Sequence, residues 1–352
     1  MLFLGIDTTF HTTGLALIDN NNKVKFNKSI SIDLYDQDAD RFFSAHIKNL
    51  VDLLNLLPDN TWNKIKLISV INKKGTFQSL PIGVTAACIL GYSKKKKIIG
   101  IDHEIAHLYS NWLERQEKEF KFPILGLSVS GAHTAIYYQE SHKKINKLIS
   151  IVWDSKKNSF NGIAALFDVF CHGMRIKIIK TGDGGNMLSD LAKRGKKIEI
   201  PELNEIRIKR NKNTLIILDT NKAIEKIYSK YRKNLLNENF QRNLSFSFLD
   251  YIFNLLGQEF LKIAKDYKVK EMHLVGGVSA NSIFKDKIKN IAVKNKIVFK
   301  APLKKEFCGD NAAMVAVRGK YKSIFTKQQK FISVLPSFWY YKHYCNNILS
   351  EK

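Results

Sequence analysis

Two histidines spaced four residues apart are the clearest candidates for chemistry in this sequence. Residues 103–107 read HEIAH and follow the strand-like run KIIGID. On a helix, side chains at i and i+4 lie on one face, so His103 and His107 can bind the same ion. The string also fits the HExxH pattern of zinc peptidases, in which Glu104 would be the general base. By itself the histidine pair is as well explained as a surface or packing pair as it is by a metal site, and other segments must decide between the two.

Three turns that contain glycine and hydroxyl side chains are candidates for binding a phosphorylated ligand. They read GIDTTFHTTG after the first strand, SVSGAHT at 128–134 and VGGVSAN at 275–281. Backbone amides in such turns bind phosphates, and the last turn precedes a predicted helix, whose N-terminus favours negative charge. Each turn alone is better explained as an ordinary connection between a strand and a helix. Their recurrence in both halves of the chain favours a nucleotide-related site.

The elements that must position these residues indicate an α/β protein with two lobes. LFLGID and KLISVI are buried strands by pattern, a helix is predicted at 78–92, and KIIGID follows it. This alternation predicts parallel strands joined by a crossover helix. After Pro123 the runs ILGLSVS, TAIYYQE and LISIVW repeat the order of strands seen at the N-terminus. The predicted boundaries are an N-terminal lobe at 1–121 with the histidine pair, a C-terminal lobe at 122–320, a tail at 321–352, and a basic surface insertion near 196–244.

Composition and charge narrow the class of protein. The 352 residues are 45% hydrophobic, enough to form a core, and 57 basic against 32 acidic residues give a formal net charge of +25. Such a charge concentrates polyanions, although basic residues also cover solvated faces without any ligand. The four cysteines form no CxxC pair, which argues against a disulfide framework and favours the reducing cytoplasm. No run approaches the length that crosses a membrane, so we expect no membrane partner.

Four motifs in a fixed order resemble one known family. HEIAH, SGAHT, VGGVSAN and FCGDNAAM, within residues 1–320, are similar to the tRNA N6-adenosine threonylcarbamoyltransferases, formerly called O-sialoglycoprotein endopeptidases. The resemblance implies a two-lobed actin-like ATPase fold of duplicated mixed sheets flanked by helices. It also implies transfer of a threonylcarbamoyl group from L-threonylcarbamoyladenylate to N6 of adenosine 37 in tRNAs that read codons beginning with A.

The same resemblance implies site residues, a cofactor and partners. His103, His107 and Asp310 would hold one divalent metal ion, Fe²⁺ or Zn²⁺, and no residue is assigned a catalytic role. The residues expected to bind the adenylate are Ser128, Val129, Ser130, Gly131, Ala132, Asp168, Gly185 and Asn281. The implied partners are tRNA, the synthase that makes the adenylate and, in bacteria, a smaller protein of the same fold together with a P-loop ATPase. Candidate tRNA contacts are residues 94–97 and, in the insertion, Arg207, Lys209 and Arg210.

Departures from the family pattern keep two other functions open. The family's first loop carries an acidic pair where this chain has His11 and Thr12, and Lys73 and Lys74 occupy a segment that is otherwise glycine–proline–glycine. These changes motivate a second reading, a catalytically impaired relative that acts as a scaffold or a nucleotide-binding subunit. A zinc peptidase that uses Glu104 is the least favoured reading, because the sequence offers no third ligand motif of the peptidase type.

Overall fold

A computed structural model describes residues 1–32, 39–58, 60–76, 78–131, 133–154, 162–178, 183–211, 214–327, 329 and 331–334. The chain divides into two compact units. Unit 1 comprises Met1–Phe120 and Pro302–Lys352, and unit 2 comprises Lys121–Ala301. Of the predicted tail, residues 335–352 lie outside the described residues.

The strands and helices follow the alternation that the sequence predicts. In chain order the strands are β1 (Leu2–Asp7), β2 (Thr12–Asp19), β3 (Val24–Ser31), β4 (Ile65–Lys73), β5 (Lys97–Asp102), β6 (Ile124–Val129), β7 (Thr134–Gln139), β8 (Ile145–Trp153), β9 (Arg207–Asn211), β10 (Leu215–Asp219), β11 (Glu271–Val275) and β12 (Val298–Lys300). The helices are α1 (Ala39–Asn55), α2 (Thr61–Lys64), α3 (Leu80–Ser93), α4 (His103–Leu108), α5 (Ile163–Gly173), α6 (Gly184–Ala192), α7 (Asn221–Lys230), α8 (Glu238–Asp266), α9 (Ser282–Lys294) and α10 (Ala312–Lys322). Within the described residues, none of these helices combines the length and the apolar character needed to cross a membrane.

Unit 1 is built on a five-stranded mixed sheet in the order β3-β2-β1-β4-β5. β1, β2 and β3 are antiparallel neighbours, and β4 and β5 run parallel to β1. The central strands β1 and β4 are buried along nearly their whole length. Strands covered on both faces read as continuous apolar runs, which explains why LFLGID and KLISVI are so readily identified in the sequence.

Helix α10 packs on the sheet of unit 1, so the predicted limit of the C-terminal lobe at residue 320 differs from the structure. α10 contacts β1, β2 and β4. The approach is so close that only glycine fits at two positions. A Cβ atom on Gly5 would lie 2.0 Å from the Ala312 carbonyl oxygen, and one on Gly319 would lie 1.8 Å from the Ser69 hydroxyl. Residues 302–320 therefore belong to unit 1, and with them Asp310, which the predicted division placed in the second lobe.

Unit 2 repeats the sheet of unit 1 and extends it. Its seven strands are ordered β12-β11-β6-β7-β8-β10-β9. β6, β7 and β8 form the antiparallel meander, and β11 and β12 lie parallel to β6, as β4 and β5 do to β1. The predicted duplication of mixed sheets is confirmed. The long helix α8 begins at Glu238, and the Asn237 side chain caps it by accepting a hydrogen bond from the Phe240 amide at 3.0 Å.

The segment near 196–244 is part of the core of unit 2 and not a surface insertion as predicted. β10 pairs with β8 and carries β9 at the edge of the sheet. The buried apolar residues that the segment contributes are Ile200, Leu203, Ile206, Ile216, Leu218, Ala223, Ile224, Ile227, Leu235 and Leu244. Two of its predicted tRNA contacts are in ion pairs, Lys209 with Asp219 and Arg210 with Glu259. These two basic side chains therefore balance charges of the protein itself.

A buried charged cluster connects β11, β12 and the segment before β6 in unit 2. Glu271 on β11 is 1% exposed and accepts hydrogen bonds from the Lys300 ammonium at 2.7 Å, the His273 Nε2 at 2.8 Å and the Lys121 amide at 2.7 Å. Burial alone would raise the pKa of the Glu271 carboxyl, but the hydrogen bonds from His273 and Lys300 outweigh it and lower this pKa. The ionised carboxylate therefore stabilises the folded state.

We expect Glu271→Gln to lower the free energy of unfolding at pH 7 by about 3 kcal/mol, because it leaves Lys300 buried without its counter-charge. Because the pKa of Glu271 is lower in the folded protein, its carboxylate contributes its full stabilisation at pH values above the unfolded-state pKa, which is near 4.5. This stabilisation is lost as the pH falls through the lower pKa of the folded state. The difference between wild type and variant should therefore shrink in acid. Urea titrations at pH 7 and at pH near 3.5 measure both effects. Glu306→Gln, at an exposed pair with Lys304, is the control and should change little; an equal loss in both variants would contradict the assignment.

Candidate functional site

The histidine pair lies on α4, which begins where β5 ends. Asp102 caps this helix, because its side chain accepts hydrogen bonds from the amides of Glu104 at 3.0 Å and Ile105 at 3.4 Å. His103 and His107 then share one helical face, as the spacing predicts, with their Nε2 atoms 3.2 Å apart. The rings are nearly perpendicular, with centroids separated by 4.7 Å. Both nitrogens therefore face the same point.

Asp310 reaches the same point from the turn before α10. One of its carboxylate oxygens, Oδ1, lies 3.2 Å from His107 Nε2 and 3.5 Å from His103 Nε2. The next residue, Asn311, fixes the turn: its side chain accepts from the Met314 amide at 3.0 Å and donates to the Gly309 carbonyl at 2.9 Å. All three side chains belong to unit 1, and they form a potential metal-binding group within the described residues.

The spacing of these three atoms fits a single ion. Two ligand atoms at about 2.1 Å from one ion, with ordinary angles between them, lie about 3.0–3.4 Å apart. Two of the observed separations, both 3.2 Å, lie in this range, and the third, 3.5 Å between His103 and Asp310, exceeds it by 0.1 Å. The Nδ1 atoms of both histidines are buried and lack a hydrogen-bond partner among the described residues. The donor set of two imidazoles and one carboxylate suits Fe²⁺ and Zn²⁺ alike.

Asp7, at the end of β1, adds a second carboxylate behind the pair. Its Oδ1 accepts hydrogen bonds from the Thr9 hydroxyl at 2.6 Å and amide at 3.1 Å, while its Oδ2 lies 4.0 Å from His103 Nδ1. Burial raises the pKa of Asp7 despite the opposing effect of His103. Burial alone would lower the pKa of His103, but Asp310 and Asp7 outweigh it and raise this pKa. The pKa of Asp310 changes in the opposite direction. Burial alone would raise it, but the nearby histidines outweigh this effect and lower it.

The divergent first loop lies beside this group. Phe10 adopts a left-handed backbone conformation with φ of 48°, and His46 on α1 holds the loop through contacts of 2.8 Å to the Phe10 carbonyl and the Thr13 hydroxyl. His11 is half-buried, its Nδ1 has no hydrogen-bond partner among the described residues, and its charge contributes to lowering the Asp310 pKa. Thr12 is buried at the start of β2. An imidazole therefore stands near Asp310 where the family pattern has an acid.

Glu104 and Cys308 lie next to the metal-binding group but are not members of it. Glu104 is 6% exposed, and its Oε1 lies 3.7 Å from the ammonium of Lys74, whose backbone φ is 63°. Cys308 is buried, and its thiol donates to the Lys304 carbonyl at 3.7 Å. The carboxylate that completes the set is Asp310, which gives no support to the peptidase reading.

Residues predicted to bind the adenylate lie in unit 2, in two groups. Ser128 and Val129 end β6, and the following turn is closed by the Ser130 hydroxyl, which donates to the His133 carbonyl at 2.7 Å. Gly276, with φ of 85°, lets β11 pass close to this turn, because a Cβ atom there would lie 2.5 Å from the Val129 carbonyl oxygen. Gly131 has open space where a side chain would begin, and Ala132 lies outside the described residues.

Asp168, Gly185 and Asn281 form the second group around α6. The Asp168 carboxylate accepts from the Gly184 amide at 2.8 Å, at the start of this helix. The Ser189 hydroxyl donates to the Gly185 carbonyl at 2.6 Å and accepts from the Asn281 side-chain amide at 2.5 Å. Ser189 thus connects the start of α6 to the turn before α9.

Sequence reasoning missed Asp7, His46 and Ser189. Asp7 has a visible signal, since a carboxylate directly after a buried apolar strand and before a hydroxyl-rich turn is unusual. His46 and Ser189 have none, because each lies within an ordinary helical pattern and acts through a contact distant in sequence.

Proteins of known name are similar to this chain in sequence, and a solved structure is similar to it in fold. The chain is 27% identical over 270 residues to a tRNA N6-adenosine threonylcarbamoyltransferase of Aster yellows witches'-broom phytoplasma, covering 77% of this chain and 90% of that protein. It is 28% identical over 334 residues to the protein of the same name from Campylobacter hominis, covering 91% and 92%. Among solved structures it resembles full-length HypF, with a TM-score of 0.58 at 13% identity, covering 94% of this chain and 56% of HypF, so this chain spans about half the length of that protein.

The structural likeness confirms the predicted actin-like ATPase fold class, and at this identity it shows the fold alone. The sequence match goes further. A sequence model of the tRNA N6-adenosine threonylcarbamoyltransferases matches residues 37–317, about four fifths of the chain, and the protein therefore belongs to that family.

Proposed function

We propose that the protein transfers the threonylcarbamoyl group of L-threonylcarbamoyladenylate to N6 of adenosine 37 in tRNAs that read codons beginning with A. The convergence of His103, His107 and Asp310 on one point carries this proposal, together with the family match. In the reaction a bond forms between N6 and the carbamoyl carbon, N6 loses one proton to solvent, the bond from that carbon to the phosphate oxygen breaks, and AMP leaves. A separate synthase would supply the adenylate.

One divalent ion, Fe²⁺ or Zn²⁺, would be held by His103, His107 and Asp310. When bound, such an ion supplies Lewis-acid polarisation of a substrate oxygen. The protein's own contribution is to fix the three ligands: Asp102 and Asn311 cap the two helices that carry them, and Asp7 lies behind His103. The adenylate is a mixed anhydride and already has a good leaving group. Holding it in position next to the acceptor amine therefore accounts for much of the rate of transfer.

Unit 2 would hold the adenylate. The Ser128–Gly131 turn offers backbone amides and open space, and Asp168 and Asn281 offer polar groups for a ribose and a base. The acceptor adenosine lies in a single-stranded loop, where a base can leave its stack and enter a pocket. The net charge of +25 favours association with the tRNA backbone.

Removal of two ligands tests the assignment. We expect His107→Ala combined with Asp310→Ala to lower the rate of transfer by a factor on the order of 100 or more, because one imidazole cannot retain the ion. The measurement is mass spectrometry of nucleosides from tRNA incubated with the protein and synthetic adenylate. His172→Ala, at an exposed histidine of α5, is the matched control and should keep full transfer.

Two results would count against the proposal. Normal transfer by the double variant would show that the metal site is assigned wrongly. Absence of product with wild-type protein, supplied with metal and partners, would leave the scaffold alternative that His11, Thr12 and Lys74 motivate. Melting curves of each variant ensure that a lost signal does not reflect unfolding.

Asp7 should act by positioning His103. We expect Asp7→Asn to weaken metal binding by about 10–100-fold, because a carboxylate behind a ligating imidazole fixes its orientation and raises its basicity. Competition with a chromophoric chelator measures the affinity without any turnover. Asp52→Asn, at an exposed residue of α1, should leave the affinity unchanged. Equal affinities for Asp7→Asn and wild type would remove Asp7 from the site.

A smaller protein of the same fold would bind the outer face of α1 and α3. α3 is apolar nearly all round, yet Ile89 and Tyr92 are 60% and 84% exposed, and Ile47 and Val51 on α1 are half exposed. A helix that is apolar on every side is normally covered. A partner of the same fold has counterparts of both helices, so two similar faces can pack together.

Charged substitutions on this face should abolish the complex. We expect Ile89→Lys and Tyr92→Lys each to prevent co-purification with the smaller same-fold protein of the same genome, because a buried ammonium lacks a counter-charge. Ile324→Lys, at a 74% exposed apolar residue elsewhere in unit 1, should have no effect. If the complex survives the first two substitutions, the face of α1 and α3 is not the binding site. If wild-type protein forms a homodimer through this face instead, the occupant is a second copy of this chain and the proposed partner is wrong.

A further inference from the structure

A pocket of about 420 Å³ lies on unit 2, away from the residues discussed above. It is formed where α5 and α6 end and α8 begins. Ile176, Met187 and Leu191 supply half-buried apolar surface, and three arginines stand among the lining residues: Arg175, Arg194 and Arg242. An apolar surface beside several guanidinium groups suits a ligand that is both planar and anionic.

Two of the arginines carry charge that the described residues do not balance. Arg175 and Arg194 are exposed, and within the described part of the chain neither has an ion pair or a hydrogen bond from its side chain. The two acids of the pocket are already paired: Glu238 accepts from Arg242 at 2.5 Å, and Asp190 accepts from Lys193 at 2.7 Å. The pocket therefore has a net positive charge.

The walls of the pocket are fixed by close packing and hydrogen bonds. The Gln241 amide donates to the carbonyls of Met174 at 3.0 Å and Leu235 at 2.7 Å, which ties α8 to the end of α5. A Cβ atom on Gly195 would lie 2.2 Å from the Arg242 carbonyl oxygen, so the turn after α6 lies directly on α8. The Arg242 Nε is buried and has no hydrogen-bond partner among the described residues. The backbone that surrounds the pocket is therefore fixed, and the exposed side chains of Arg175 and Arg194 are the parts that a ligand would order.

This pocket is separate from the group that contains Asn281. On α6, Gly185 and Ser189 are one turn apart and connect to Asn281, whereas Met187 and Leu191 are offset by two residues and line the pocket. Side chains two residues apart on a helix point in different directions. The two sites therefore use different sides of the same helix.

We propose that this pocket binds one nucleotide of an RNA strand, with its base on the apolar surface and its phosphate held by Arg175 and Arg194. Bases stack on apolar and guanidinium surfaces, and arginine forks match phosphate oxygens. The volume lies within the usual range for a small ligand. The RNA is the tRNA of the proposed function, but binding here can be measured without adenylate or transfer.

The test is the affinity for full-length unmodified tRNA at several salt concentrations, measured by fluorescence anisotropy. We expect Arg175→Gln combined with Arg194→Gln to weaken binding about ten-fold and to reduce the salt dependence by about one to two released counterions. Leu191→Trp fills the pocket without changing charge, and it should weaken binding while leaving the salt dependence intact. The control is Lys262→Gln with Lys265→Gln, which removes the same charge about 30 Å further along α8 and should change the affinity less than about two-fold.

A free mononucleotide also carries a base and a phosphate and could occupy the pocket. Calorimetric titration with AMP is therefore the second part of the test. If AMP binding is lost in the double arginine variant while tRNA binding is kept, the ligand is a free nucleotide and the RNA proposal is overturned. It is equally overturned if the arginine and tryptophan variants bind tRNA like wild type. Weakened tRNA binding by these variants supports RNA binding at this pocket whether or not transfer is detected. Absence of transfer in the nucleoside analysis would count against the proposed function alone.

Discussion

The close contact between α10 and β1 is the constraint on which the candidate site depends. Asp310 lies two residues before α10, and the two histidines follow β5, which β4 separates from β1 in the parallel part of the sheet. The carboxylate reaches them only because Gly5 and Gly319 let the helix rest directly on the sheet. Arg318 and Tyr109, joined by a hydrogen bond of 2.8 Å, connect α10 to the turn after α4. The ligand geometry is therefore a property of the packing in unit 1.

Charge balance explains the chemistry of that group. Two carboxylates, Asp7 and Asp310, and two imidazoles are brought together with little exposure, and burial alone disfavours any unpaired charge. The raised pKa of His103 and the lowered pKa of Asp310 show that opposite charges compensate each other. A divalent ion would supply positive charge at the same point. His11, beside Asp310, adds positive character where the family pattern has acids, so the balance of this chain differs from that pattern.

Periodic segments were predictable from sequence, and long-range packing was not. The buried strands and the i, i+4 histidine pair depend on local pattern, and both sheets follow from their repeated order. The unit to which α10 belongs depends on glycine contacts some 300 residues apart in sequence, such as Gly5 with Ala312, and no local pattern records them. The hairpin of β9 and β10 has the sequence pattern of a surface insertion, because RIKRN is an exposed, basic edge strand and its apolar partner LIILD is short. The metal-ligand assignment came from the family motif, since spacing alone could not connect Asp310 to His103.

The excess of basic residues is not one uniform surface. Lys209, Arg210 and Lys300 neutralise carboxylates of the protein and stabilise unit 2 itself. Such pairs contribute little to the attraction of a polyanion, because their fields largely cancel at the distance of a ligand. Attraction and orientation of an RNA must therefore come from basic groups whose charge is uncompensated and whose position is fixed. Among the described residues of unit 2, Arg175 and Arg194 meet the first condition, and the rigid joint between α5, α6 and α8 supplies the second.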